Sequence, residues 1–249
     1  MVCCSSMMTD AKRPLIVGNW KMHGDAEFVD ALLADLISAN AECVVCPPAL
    51  WLERAATRIA GSRIQLGAQD CVAPESGAHT GDISAAMLKS VGCTYVIVGH
   101  SERRHAHRES DIQVKMKAEA VEKAGLSPIV CVGESLEERE EGRAVEVVTE
   151  QVLASIPEAC DGLVVAYEPV WAIGTGKVPS NEQITEMHLS IHMAIRAQKG
   201  DDFAVRVLYG GSVKPKNATE ILSQEGVDGA LVGGASLQAD SFLAICEAI

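Results

Sequence analysis

The chain is poor in aromatic residues: three Trp, three Tyr and three Phe make up 4% of its 249 positions. A core built with so few rings has to be mostly aliphatic. The 48% of hydrophobic residues is enough to fill the large core that a chain of this length can bury. No stretch approaches the roughly 20 apolar residues of a membrane span. The N-terminal MVCCSSMMTDAKRP has no apolar run of signal-peptide length and reads as a frayed tail. Positive charge is short as well, with 21 Lys and Arg against 34 Asp and Glu, a formal net charge of −13. That balance argues against nucleic acid and against an anionic membrane as main partner. It also means that an anionic substrate would need positive potential made locally. The nine cysteines, an odd number scattered along the chain, do not form the even set of a small secreted disulfide scaffold. Cys43, Cys46, Cys93 and Cys131 fall in apolar runs, as small buried hydrophobes of a reducing, cytoplasmic compartment would.

What is present is alternation. Short β-branched runs at 15–19, 42–46, 64–68, 94–98, 128–132, 163–167, 205–209 and 229–232 predict eight strands. Helical patterns lie between them at 26–39, 50–60, 111–124, 142–155, 181–198, 217–224 and 241–248, with a shorter one at 84–90. Asp25, Ser180 or Asn181, and Asp240 stand where helix caps belong. Eight βα units imply a parallel sheet, because each crossover returns to the same end. Such a sheet can lie flat or close. The first and last strands are as apolar as the middle ones, with no polar edge, which favours closure. The expected fold class is therefore α/β, a (β/α)8 barrel forming one domain over 14–249 behind a tail at 1–13.

Active sites in that architecture sit at the carboxyl ends of the strands. The first strand ends in Gly18-Asn19-Trp20-Lys21-Met22, and a lysine there can neutralise an anion or form a Schiff base. The fourth ends in Gly99-His100-Ser101-Glu102-Arg103-Arg104, which turns His100 toward the mouth and leaves His105 and His107 on the outer side. The spacing matches no zinc pattern, so neither a metal nor another cofactor is expected. The sixth ends in Tyr167-Glu168, followed by PVWAIGTGK. A carboxylate closing an apolar strand is costly unless paired or used. The segment 169–177 is apolar in its middle, as a lid that buries Val170, Trp171 and Ile173 on closing would be. The last two strands end in Gly210-Gly211-Ser212 and Gly233-Gly234-Ala235-Ser236. Paired glycines let backbone N–H groups approach a ligand closely. In barrels these two loops are the usual phosphate site, and Gly174 offers a third donor. Such amides supply positive potential that the charge count omits. The connection 69–81, containing SGAHTG, is too long for an ordinary βα loop and reads as a lid or an arm to another subunit.

GNWKM, VGHSERR, YEPVWAIGTGK, YGGSV and DGALVGGASL, in this order and spacing, resemble the signature segments of the triosephosphate isomerase family over residues 14–248. The resemblance implies an isomerase of glycolysis and gluconeogenesis that interconverts dihydroxyacetone phosphate and D-glyceraldehyde 3-phosphate through an enediolate. It implies Glu168 as the base and His100 as the electrophile. Lys21 and Asn19 would face the substrate, with Glu102 supporting Lys21. Backbone N–H groups of Gly174, Ser212, Gly233 and Gly234 would hold the phosphate under a lid at 169–177. It also implies a homodimer through the 69–81 loop, with Thr80 reaching the partner's site. His23 stands where family members usually carry Asn, and His79 where Phe is common; both bear on the subunit interface.

Arg103, Arg104 and a helix start after Ser101 would disfavour an imidazolium, so a neutral His100 is expected at pH 7. Two rival readings remain at this point. One is an aldolase using Lys21 as a Schiff base, since barrels host many chemistries. The other is a non-catalytic barrel scaffold, against which the full set of polar strand-end residues speaks.

Overall fold

The structure is a computed structural model that describes residues 13–173 and 177–248. Eight parallel strands close into a barrel in chain order: β1 (Leu15–Asn19), β2 (Val44–Cys46), β3 (Gln65–Ala68), β4 (Tyr95–Val98), β5 (Ser127–Val132), β6 (Leu163–Tyr167), β7 (Val205–Tyr209) and β8 (Gly229–Val232). β1 pairs with β2 on one side and β8 on the other, so no edge is left free. The expected barrel is the one observed.

Side chains alternate along each strand and so divide the core in two. Leu15, Val17, Val44, Cys46, Ile97, Ile129, Cys131, Val164, Ala166, Leu208 and Leu231 fill the barrel interior. Their neighbours, such as Ile16, Val45, Val130, Val165 and Val207, belong to the larger layer under the helices. Cys43 and Cys46 stand at CxxC spacing, yet strand alternation sends Cys43 to the outer layer and Cys46 to the interior. That separation removes the metal or redox reading such spacing carries on a loop. Cys43, Cys46, Cys93 and Cys131 are buried free thiols, as expected from their apolar surroundings.

The covering helices are α1 (Ala26–Ser38), α2 (Leu52–Ile59), α3 (Ala85–Ser90), α4 (Ser101–Ala106), α5 (Asp111–Lys123), α6 (Leu136–Glu140), α7 (Ala144–Ser155), α8 (Asn181–Lys199), α9 (Pro215–Leu222) and α10 (Ala239–Cys246). α1 starts where Asp25 accepts from the Phe28 N–H at 2.9 Å, and it buries Val29, Leu32, Leu33 and Leu36 along one stripe. α8 starts in a capping box between Ser180 and Gln183. The segment expected as one helix over 50–60 opens instead as a 3₁₀ turn, Ala49–Trp51, behind Pro48. The last helix is flanked at its start by Gln238; Asp240 lies inside its first turn, where its charge suits the positive end of the helix dipole.

Candidate active site

The inward alternation of the strands continues past their ends, and this places the site. Val164 and Ala166 point into the barrel, and Glu168 is the next residue in that series. Leu15 and Val17 lead in the same way to Asn19, Leu208 to Gly210, Leu231 to Gly233, and Cys131 to Gly133. Two of these glycines flank the glutamate. A Cβ at Gly210 would stand 2.9 Å from Glu168 Cγ and 3.0 Å from the Tyr167 carbonyl oxygen, and one at Gly133 would overlap the Glu168 carbonyl. β5 and β7 therefore leave Glu168 its room by omitting side chains on either side. Sequence reading missed this role of Gly133 and Gly210; the signal was their position two residues beyond the last inward apolar side chain.

A cavity of about 770 Å³ opens here, lined among others by Asn19, Lys21, His100, Glu168, Ile173, Ser212, Leu231, Gly233 and Gly234. The sequence-predicted residues thus meet, except Gly174, which lies outside the described residues, and Glu102, which reaches the site through Lys21. Glu102 Oε1 is 2.5 Å from Lys21 Nζ. The Lys21 backbone sits at φ 50, in the left-handed region that costs a non-glycine residue free energy. It is held from both sides. Its N–H donates to Asn19 Oδ1 at 3.0 Å, and its carbonyl accepts from Gln69 Nε2 at 2.8 Å. Gln69, not singled out from sequence, ties the first residue of the long 69–81 loop to Lys21.

Glu168 is 2% exposed. Its Oε2 accepts from the Ser101 N–H at 2.8 Å, and its Oε1 is 2.9 Å from His100 Nε2. Burial pushes the carboxyl pKa up, but the imidazole and the Ser101 donors prevail and hold it below its ordinary value of 4.5. For His100 burial pushes the pKa down and the Glu168 carboxylate more than offsets it, so the net direction is up. His100 flanks the start of α4, where its Nδ1 accepts from the Glu102 N–H at 3.2 Å. An accepting Nδ1 places the single proton on Nε2, facing Glu168 and the cavity.

The grounds given for a neutral His100 need correction here. Arg103 is engaged by Asp70 and Glu109, and Arg104 by Asp111, so neither cation is turned on the imidazole. The helix start stands as expected and disfavours a second proton; Glu168 acts the other way. His105 and His107 are both exposed, but His107 lines a second cavity together with Asn19, Lys21 and Glu102 and so is not on the outer side as expected.

The start of the expected lid is anchored on a residue that sequence reading did not pick. Glu134 is fully buried, and its Oε1 accepts from Trp171 Nε1 at 2.8 Å, Arg139 Nη2 at 2.7 Å and the Tyr167 hydroxyl at 3.1 Å. Its backbone carbonyl accepts from the Val170 N–H at 3.2 Å. Val170–Ala172 forms one 3₁₀ turn, with Ala172 buried and Val170 39% exposed. Residues 174–176 of the lid lie outside the described residues.

At the opposite wall, the backbone N–H groups of Ser212, Gly233 and Gly234 make no hydrogen bond to another described residue. Donors left free on a cavity wall suit an anion. The site so built holds a buried carboxylate, an imidazole N–H, an ammonium and a cradle of amides.

Comparison with known proteins agrees with this geometry. The family model described as triosephosphate isomerase matches residues 14–249. A triosephosphate isomerase of Xanthobacter flavus is 50% identical over 248 residues, covering 97% of this chain and 100% of the relative. One of Ruegeria pomeroyi is 52% identical over 245 residues, covering 96% and 98%. The crystal structure of triosephosphate isomerase from Bartonella henselae superposes with a TM-score of 0.89 at 44% identity, over 95% of this chain and 98% of that one.

Proposed function

The chain belongs to the triosephosphate isomerase family and interconverts dihydroxyacetone phosphate and D-glyceraldehyde 3-phosphate, and we propose that Glu168 is the base that moves the proton. Family membership removes the aldolase and scaffold readings. The carrying observation is the buried Glu168 carboxylate on a cavity wall it shares with His100, Lys21 and the free amides. In the resting geometry Glu168 is held by Ser101 and His100. Substrate entering the cavity takes over the His100 Nε2–H through its carbonyl oxygen. The freed carboxylate abstracts the proton from the adjacent carbon. The enediolate oxygens are then met by His100 Nε2–H, Asn19 and the Lys21 ammonium, donors that need no rearrangement. Glu102 positions Lys21. Glu168 returns the proton to the neighbouring carbon, while His100 Nε2 gives its proton to the former carbonyl oxygen and takes up the one leaving the adjacent hydroxyl, so the imidazole ends as it began. The phosphate sits on the N–H groups of Ser212, Gly233, Gly234 and Gly174, and the 169–177 segment closes over it to keep water from the intermediate.

The same reading covers the assembly. It takes residues 14–249 as one catalytic domain behind the 1–13 tail, working in the cytoplasm as a homodimer. Met22 at 93%, Leu50 at 80% and Met87 at 54% exposure leave apolar surface open, and positions 74–81 of the long loop are exposed. Beside it a cavity of about 500 Å³, lined by Asn19, Lys21, Gln69, Asp82 and Glu102, can receive the same loop of a second copy. Buried free thiols fit a reducing compartment, and no helix among the described residues is long and apolar enough to cross a membrane.

A coupled assay on D-glyceraldehyde 3-phosphate with Glu168→Asp tests the base. Retreat by one methylene should leave KM near the parent's and lower kcat by roughly 10²-fold or more. An unchanged kcat removes Glu168 from the role.

A further inference from the structure

A protein with a net charge of −13 that draws in a phosphate dianion repels its own substrate at long range. Free amides act only at contact. Lys21 carries a full charge, but Glu102 neutralises it at 2.5 Å. The cavity wall holds a second lysine that neither the sequence motifs nor the family comparison singled out. Lys214 follows Ser212 by two residues, is exposed, and lines the same cavity as Ser212, Gly233 and Gly234. No acidic side chain among the described residues pairs with it, unlike Lys115, Lys117, Lys123 and Lys199.

Its place is also a poor one for stability. Lys214 is the residue at the start of α9, and no carboxylate follows in that helix's first turn, whereas α1, α5 and α8 carry Glu27, Asp111 and Glu182 there. A cation at the positive end of a helix opposes the dipole. The helix gains nothing from the charge; the mouth of the cavity does.

We propose that Lys214 is a specificity-determining residue for anionic substrates: its unpaired charge at the cavity mouth captures the phosphate dianion and delivers it to the amide cradle. This inference rests on the phosphate lying at Ser212, Gly233 and Gly234. Lys214 acts on encounter and capture, so its effect belongs in kcat/KM and in its dependence on salt. One charge and a dianion about 10 Å apart in water correspond to roughly a threefold effect at about 10 mM ionic strength, where the Debye length is about 30 Å. At about 0.5 M the effect is screened.

The test measures kcat and KM for D-glyceraldehyde 3-phosphate against ionic strength for the parent, Lys214→Gln, Lys214→Arg and Lys89→Gln. Lys89 lies in the last turn of α3, at the opposite end of the barrel, so its loss makes the same change in net charge away from the mouth. Lys214→Gln should lose roughly threefold in kcat/KM at low salt, through KM, and converge with the parent at high salt. Lys214→Arg should restore the parent slope, and Lys89→Gln should follow the parent throughout. On unphosphorylated D-glyceraldehyde, Lys214→Gln and the parent should agree at every salt concentration. A salt slope for Lys214→Gln equal to the parent's, or an equal loss on the neutral substrate, overturns the proposal. Gly234→Pro, which deletes one cradle N–H, separates the two readings. If it binds substrate like the parent at all salt concentrations, the phosphate placement itself has failed.

Discussion

His100 Nε2 stands 2.9 Å from Oε1 of Glu168, and each of the two groups alters the titration of the other. Burial alone would raise the Glu168 pKa; the imidazole and the Ser101 donors lower it below 4.5. In its proposed role as base Glu168 works only when deprotonated, so that function should be lost as pH falls through the lowered pKa. Glu168 in the ligand-free enzyme should therefore stay ionised down to pH values below 4.5. In His100→Gln the burial contribution remains while the imidazole contribution is gone, so the pKa should move up. Carbon NMR of the glutamate carboxylates in the two proteins measures this directly. A parent Glu168 that titrates above pH 5, or one unmoved by His100→Gln, contradicts the pairing.

The glycines beside Glu168 give a second expectation. A Cβ at position 210 would press on Glu168 Cγ at 2.9 Å, closer than carbon atoms normally approach. Gly210→Ala should leave the barrel folded with a small shift of the backbone at Tyr167, whose carbonyl oxygen the Cβ would meet at 3.0 Å, and it should displace the carboxylate. A shift near 1 Å costs roughly 10²-fold in rate. We expect kcat to fall by about 10- to 100-fold with a smaller change in KM. Parent-like kcat in Gly210→Ala would show that the glycine serves only the backbone.

The strands were legible because each is an apolar run of barrel length, and β1, β6, β7 and β8 begin and end at the expected residues. β2 is shorter than the pattern suggested. Glu42 stays outside it, paired with Arg13 and Arg63 at the closed end of the barrel. α4 was foreseen only as a helix start after Ser101, and α6 not at all. Both are single polar turns with no buried residue, so neither leaves a hydrophobic period to detect. The capping box of Ser135 and Glu138 was the one readable sign of α6.

Glu168, His100 and Lys21 were legible because polar residues at the ends of apolar strands have few structural reasons to be there. Glu134 stands in a comparable place after β5 and was passed over. Its partners Arg139, Tyr167 and Trp171 are 5 to 37 residues away and meet only once β5 and β6 are paired. The partners of Arg103 and Arg104 were hidden for the same reason. Sequence shows two cations beside a histidine but not the carboxylates of Asp70, Glu109 and Asp111 that engage them.

Glu134 supports a third expectation, with two separable readouts. Its carboxylate neutralises Arg139, whose side chain is only 14% exposed, and it holds the Trp171 indole of the proposed lid. Glu134→Gln keeps the shape and removes the charge. Breaking a buried pair costs about 3 kcal/mol or more, on the order of 6–12 °C in Tm for a chain of this size. If the knot also anchors the lid, the enediolate will be exposed more often, and the inorganic phosphate released per turnover will rise. Shortening the lid within 173–176 should raise it further. A lower Tm with no extra phosphate from either variant would leave the knot structural and the segment no lid.

The proposed phosphate cradle gives the last expectation, and it depends on backbone rather than side chains. Gly234 opens the 3₁₀ turn Gly234–Leu237, and a Cβ built on it meets nothing within 4 Å. The first position of a helical turn tolerates proline, whose ring fixes φ near the value needed there and whose missing N–H breaks no internal bond. Gly234→Pro therefore removes one donor from the cavity wall, with a backbone adjustment at Gly233, whose ψ of −114 lies outside the extended range usual before proline; an unchanged Tm would show that the fold absorbs it. A hydrogen bond to a charged group contributes about 1.5–3 kcal/mol, so substrate binding should weaken by roughly 10- to 100-fold. Gly234→Ala is the matched control: it adds the β-carbon, keeps the N–H and should bind like the parent. Calorimetric titration with inorganic phosphate reads both variants without any turnover. Equal weakening in the two would mean that the added carbon, not the lost donor, is responsible, and equal binding in parent and Gly234→Pro would place the phosphate elsewhere in the cavity.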